Sequence, residues 1–259
     1  MPAEITGPLR TNYLQYTVNS TRQMFTTIVR VLLPDAIDEI ENPRVVYVLP
    51  ATPELSHRSG DGLDTILAHD LHNRYGMVAI APTFSDWPWM TDHPDLQSFQ
   101  QVLYFLEDIV GFFDRQFPES ERLLVGYSKG GTAALQLLLR YPELFRAIAF
   151  FDSPIMKEAP DQWEMPYYWT DKQHYREFAI PGLLRDRGRT LGGQLRIAMF
   201  GYGNFGKDAP EWTFDHLGAG HELMDELGIP HLYDNSTYRA HRWDSGWLEQ
   251  AFEALDRMS

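Results

Sequence analysis

The pentapeptide Gly126-Tyr127-Ser128-Lys129-Gly130 sets one hydroxyl among small residues where an apolar run, RLLVGY, gives way to a helical pattern, GTAALQLLLRYP. A serine on such a sharp strand-to-helix turn has its Oγ lifted above the sheet edge, and the flanking glycines let strand and helix approach without colliding side chains. The first amides of the helix, notably that of Lys129, then point at an oxyanion formed on a bound carbonyl. The chemistry this predicts is acyl transfer through Ser128 as nucleophile. A thiol nucleophile, disulfides and zinc–cysteine sites are excluded together, because the chain has no cysteine.

A serine nucleophile needs a base, and the base needs an orienting acid. Behind Ser128 stand His174, His216, His221, His231 and His241. His216 and His221 fall in a helical pattern, His231 opens a strand and His174 lies in an irregular segment, so packing or solvation accounts for them. His241, in NSTYRAHRWDSGW, sits in a loop between the last strand and the last helix and is the expected base. The expected acid is Asp208, in the loop GYGNFGKDAPEW that follows the strand LRIAMF. Its rival is Asp152, which ends AIAFFDS one strand earlier, and the alternative use of Asp208 is to cap a helix ahead of Pro210.

Other motifs compete with this reading and fall short. Gly201-Tyr202-Gly203-Asn204-Phe205-Gly206 matches a dinucleotide fingerprint literally, with Asp234 ending the next strand. Yet Lys207, Asp208, Ala209 and Pro210 intervene before any helix can begin, and too little chain follows for the rest of a nucleotide-binding sheet. His69 and His72 share a helix without a third ligand nearby, so no metal is expected, and the acyl-transfer chemistry needs no cofactor. Arg185, Arg187 and Arg189 read as a solvated basic face.

These residues need a scaffold. LQYTVNS and TTIVRVLL, rich in β-branched residues with turn formers between them, predict an antiparallel hairpin. After them, strand and helix patterns alternate: RVVYVLP, GLDTILAHDLHNRYG, MVAIAP, LQSFQQVLYFLEDIVGFFDRQFP, RLLVGYS, GTAALQLLLRYP and AIAFFDS, then LRIAMF and the segments behind it. Alternation of this kind implies parallel strands joined by crossover helices, an α/β fold with a mostly parallel sheet covered on both faces. A cap-like insertion at about 154–193 interrupts the rhythm after the sixth strand of this reading, where a few residues usually suffice. The insertion and the loop TFSDWPWMTDHPD are both aromatic, and Phe84, Trp87, Trp89, Trp163, Tyr168 and Trp169 are expected as walls of a substrate pocket, with packing of the two segments onto the body as the alternative use of each ring.

With 259 residues and 44% hydrophobic content, the chain suits a single large domain spanning 1–259. Its net charge of -14, from 22 basic and 36 acidic residues, opposes the phosphate backbone and argues against a nucleic-acid partner. MPAEITGPLRTNYLQYTV has neither signal-peptide nor membrane-span character, so a cytoplasmic protein without a membrane partner is expected, its partner being a small-molecule ester.

GYSKGG, FGYGNFGKD and AHRWDSGW together resemble segments of the α/β-hydrolase superfamily, closest to its esterase D-like branch. The resemblance runs from about Leu14 onward. It implies an α/β-hydrolase fold, serine esterase activity and a triad of Ser128, Asp208 and His241; a peptidase or amidase with the same triad, and a non-catalytic binding protein on this scaffold, are the alternative readings. Many members carry a glycine-rich oxyanion loop after the strand preceding the first helix. Here that position reads LPATPEL, so Ala51 and Thr52 are the positional candidates to join the Lys129 amide as oxyanion donors.

Overall fold

The computed structural model describes residues 3–53, 59–161, 165–201 and 211–259, with 211–215 as backbone only. The β-branched and apolar runs form the strands β1 (Glu4–Arg10), β2 (Leu14–Asn19), β3 (Thr27–Leu32), β4 (Arg44–Leu49), β5 (Met77–Pro82), β6 (Arg122–Tyr127), β7 (Ala147–Phe151), β8 (Ile197–Phe200) and β9 (Leu232–Asp234). They make one sheet in the order β1-β2-β3-β5-β4-β6-β7-β8-β9. Strands β1, β2, β3 and β5 pair antiparallel, and every pairing from β5 through β4 to β9 is parallel.

The hairpin of β2 and β3 is present as expected, but β1 extends it, so the insertion follows the seventh strand rather than the sixth. Strand β1 escapes sequence reading because all but one of its residues are exposed. An edge strand that buries almost nothing carries no apolar alternation to read.

Alternate side chains of the central strands feed two cores. Val45, Tyr47 and Leu49 of β4 face helices α3 (101–114) and α4 (Lys129–Arg140), while Val46 and Val48 face α1 (Gly62–Ala68) and α8 (Trp247–Met258). Helix α3 begins at Gln101, later than its apolar pattern suggests, because Leu96 to Phe99 form a turn that closes on His93. It contains one π-type stretch, Tyr104–Val110. Between α1 and β5 lies α2 (Leu71–Tyr75); the insertion carries α5 (Lys172–Arg176) and α6 (Ile180–Arg187), and α7 (Glu211–Leu227) precedes β9.

Candidate active site

Ser128 lies at the junction of β6 and α4 with φ 54° and ψ -122°. That backbone region is strained for an L-residue, and such strain persists only where the surroundings over-determine it. Here both sides are clamped. The Ser128 amide donates to the Phe151 carbonyl of β7 at 3.1 Å, and its own carbonyl accepts from Gly131 N at 3.0 Å. Helix α4 can start this close to the sheet only because its first turn is glycine. A Cβ on Gly130 would overlap the Leu49 carbonyl at the end of β4, and one on Gly131 would overlap Ser153 Oγ and lie 2.9 Å from Phe150 Cβ. Close contact with Leu49 also brings the chain after β4, which contains Ala51 and Thr52, up to the first turn of α4.

The parallel register pairs Tyr127 with Phe151, so Ser128 and Asp152 leave neighbouring strands side by side. Asp152 also has φ 54°, and its amide donates to Phe200 O at 2.9 Å. Its side chain is fully buried, and Oδ2 pairs with Nδ1 of His241. A carboxylate on Nδ1 holds the ring in one tautomer and leaves Nε2 as the acceptor of a proton. Among the described residues, Asp152 Oδ1 has no hydrogen-bond partner. Asp208, the acid expected from the sequence, lies outside the described residues, and the carboxylate found on His241 is that of its rival. The place of Asp152 follows from the sheet order: β7 is the immediate neighbour of the serine strand, so its end lies beside Ser128.

Tyr127 anchors the histidine loop. Its hydroxyl donates to the His241 carbonyl at 2.6 Å, and its ring centroid is 4.5 Å from the imidazole. Trp243 packs against Tyr127 at 5.3 Å and edge-on to Phe151 at 5.5 Å, while its amide donates to Ser59 O at 2.9 Å. Sequence reasoning passed over Tyr127 as the variable residue of the motif. Its aromatic character, just before the serine, was the available signal.

On the other side of the serine turn, the Lys129 ammonium sits 4.3 Å from the Trp87 ring centroid and 5.3 Å from that of Trp89, a cation–π arrangement. The aromatic loop and the insertion are joined: Trp89 packs on Trp169 at 6.3 Å, and the Tyr168 hydroxyl donates to Asp86 at 2.7 Å. Phe84, Trp89, Tyr168 and Trp169 are buried, and Phe84 packs edge-on to Tyr104, so they knit the two segments together more than they wall an open pocket. Trp87 is half-buried beside Lys129, and Trp163 lies outside the described residues. Trp89 and Trp169 still border a small cavity with Thr132 and Gln136 of α4.

A more polar cleft opens beside the chain after β4, lined by Thr52, Asp61, Arg30 and Trp243 among others. Burial pushes the Asp61 carboxyl above its ordinary range, while the adjacent Arg30 guanidinium, 2.6 Å away, pulls the other way. Asp61 also caps α1, accepting from the amides of Leu63 and Asp64. In the aromatic loop, burial likewise raises the Asp92 carboxyl, against two backbone amides of α3 that favour its charged form.

A family model described as "Esterase: Putative esterase" matches residues 26–198. The structure is similar to an S-formylglutathione hydrolase from Agrobacterium tumefaciens, with a TM-score of 0.69 at 15% identity over 100% of this chain and 99% of that one. It is similar also to MPT51 (FbpC1) of Mycobacterium tuberculosis, with a TM-score of 0.71 at 16% identity over 95% of this chain and 98% of that one. A third similar structure is the fluorophosphonate-binding serine hydrolase FphF of Staphylococcus aureus, with a TM-score of 0.69 at 14% identity over 100% and 99% of the two chains. The α/β-hydrolase fold expected from the sequence is therefore the observed one. No helix among the described residues is long and apolar enough to cross a membrane.

Proposed function

The chain belongs to the family described as "Esterase: Putative esterase", and from that premise we propose that it cleaves a carboxylic ester through an acyl-enzyme on Ser128, with His241 as base and Asp152 as the orienting acid. The observation that carries this reading is the buried Asp152 carboxylate on His241 Nδ1, beside a serine held at φ 54°. Ser128 Oγ attacks the acyl carbon while His241 Nε2 takes its proton; the same nitrogen returns the proton to the leaving alcohol. Water, activated in turn by His241, then releases the acid. Asp152 stays ionised and balances the imidazolium. The Lys129 amide, at the start of α4, and the backbone at Ala51 and Thr52 supply the oxyanion site.

This assignment replaces Asp208 by Asp152 in the acid role. Labelling with a fluorophosphonate followed by mass spectrometry of the peptides tests it: one adduct is expected, on Ser128, absent in Ser128→Ala and strongly slowed in Asp152→Asn. An unlabelled protein, or an adduct on another residue, would refute the mechanism.

A further inference from the structure

Two histidines that the acyl-transfer chemistry does not use meet at the β9 edge of the sheet. His221 and Asp225 lie one turn apart on α7, and His231 stands in the connection that leads from α7 into β9. His231 Nδ1 is 2.7 Å from the Ile229 carbonyl. Since a carbonyl only accepts, Nδ1 carries the proton and the lone pair is on Nε2. That nitrogen faces His221 Nδ1 at 2.8 Å and Asp225 Oδ1 at 3.9 Å, while Asp225 Oδ2 is 3.6 Å from His221 Nε2. One donor atom from each residue lies within 4.8 Å of the other two.

We propose that His231 Nε2, His221 Nδ1 and Asp225 Oδ1 form a binding site for a divalent transition ion of the zinc class, completed by water. Tetrahedral coordination at ordinary zinc bond lengths sets donor atoms about 3.3 Å apart. The separations of 2.8 and 3.9 Å from His231 Nε2 fall on either side of that value, so small side-chain adjustments suffice. Two imidazoles and one carboxylate suit zinc, cobalt or nickel and are poor ligands for calcium or magnesium, which take oxygen donors. Without the ion, a hydrogen bond joins the rings. When the ion takes both nitrogens, the proton between them leaves Nδ1 and His221 carries its proton on Nε2, which faces the Asp225 carboxylate at 3.6 Å.

The site has the support such a ligand set needs. The Ile229 carbonyl fixes the His231 tautomer, and the Tyr233 ring packs on His221 at a centroid distance of 4.6 Å. The His231 side chain is 3% exposed, whereas Asp225 is 65% exposed and leaves an entry path. Strand β9 is only three residues long and lies at the sheet edge, and the chain after it runs on to His241. A bound ion would therefore clip α7 to the base of this edge strand.

The test uses the full chain after chelator treatment, titrated with Co²⁺ while visible d–d absorption is followed and with Zn²⁺ by calorimetry. One equivalent is expected to bind, with affinity lowered at least about tenfold in His231→Gln, in Asp225→Asn and in His221→Ala. His69→Gln, which alters an exposed histidine paired with the partly buried Glu249, leaves binding unchanged. Zn²⁺ should also raise the thermal midpoint of the wild type and not that of His221→Ala. His221 is partly exposed on its helix, so this variant keeps the test open should His231→Gln fail to fold. Absence of saturable Co²⁺ binding to the wild type, or binding unchanged in His221→Ala, would overturn the site.

Discussion

Strands β6 and β7 run side by side and end in the same backbone conformation, φ 54° at Ser128 and at Asp152, yet they hand the chain on differently. Ser128 is followed at once by α4, whose glycine first turn packs against the ends of β4 and β7. Asp152 is followed by Ser153 and Pro154 and the start of the insertion. Both side chains are buried, but Ser128 keeps 7% of its surface exposed while the Asp152 carboxylate is buried completely against His241. The difference suits the proposed roles, in which a nucleophile must reach solvent-borne substrate and an orienting acid works best where water cannot compete for the imidazole. A turn that launches a helix needs glycine, but a turn into irregular chain does not.

Breaking the first turn should have the largest effect. Ser128→Ala is expected to lower turnover of a short p-nitrophenyl ester about a million-fold, with thermal unfolding nearly unchanged. Wild-type-like turnover would remove Ser128 from the chemistry. Breaking the second turn's contribution comes next. Asp152→Asn should preserve the circular dichroism spectrum and cost up to about ten-thousand-fold in turnover, because an amide stabilises the wrong imidazole tautomer. Asp208→Asn, measured on the same ester, should stay within about tenfold of the wild type, since deletion of a group outside a triad leaves the concerted machinery intact. The reverse pattern, with Asp208→Asn crippled and Asp152→Asn near normal, would return the acid to the loop after β8.

Smaller effects sharpen the contrast between the two turns in stability rather than rate. Gly131→Ala forces a Cβ onto Ser153 and Phe150, so chemical denaturation should show a loss of about 1–3 kcal/mol, the usual range for overpacking. A neutral result would mean that α4 can shift away from β7 without cost. Tyr127→Phe removes the hydrogen bond to the His241 carbonyl and is expected to destabilise by about 1 kcal/mol, with a modest fall in kcat, since the ring that packs on the imidazole remains. A collapse of activity as large as that of Asp152→Asn would give the phenol a direct part in catalysis.

What could be read without coordinates was local. The alternation of β-branched runs with helical spacing carries the α/β class, and the Gly-x-Ser-x-Gly turn is legible because close approach of α4 to the sheet demands small residues at fixed offsets from Ser128. The loop position of His241 was equally open to view, since it needs only the last strand and the last helix to be recognised. Strand β1 offers no apolar face to read, and for Phe84, Trp89, Tyr168 and Trp169 the choice between pocket wall and packing stays open in sequence, because aromatic clustering looks the same whether rings line a pocket or fill the joint between two segments. Local reading offered Asp152 as one of two acids for His241 and had no means of bringing it to the imidazole. Asp152 and His241 are 89 residues apart, and nearness in chain order favoured Asp208. The order of strands across the sheet puts β7 directly against β6, and that sets Asp152 beside Ser128 and against His241. Strand order arises from the packing of all the crossover connections at once, so no short stretch of residues encodes it.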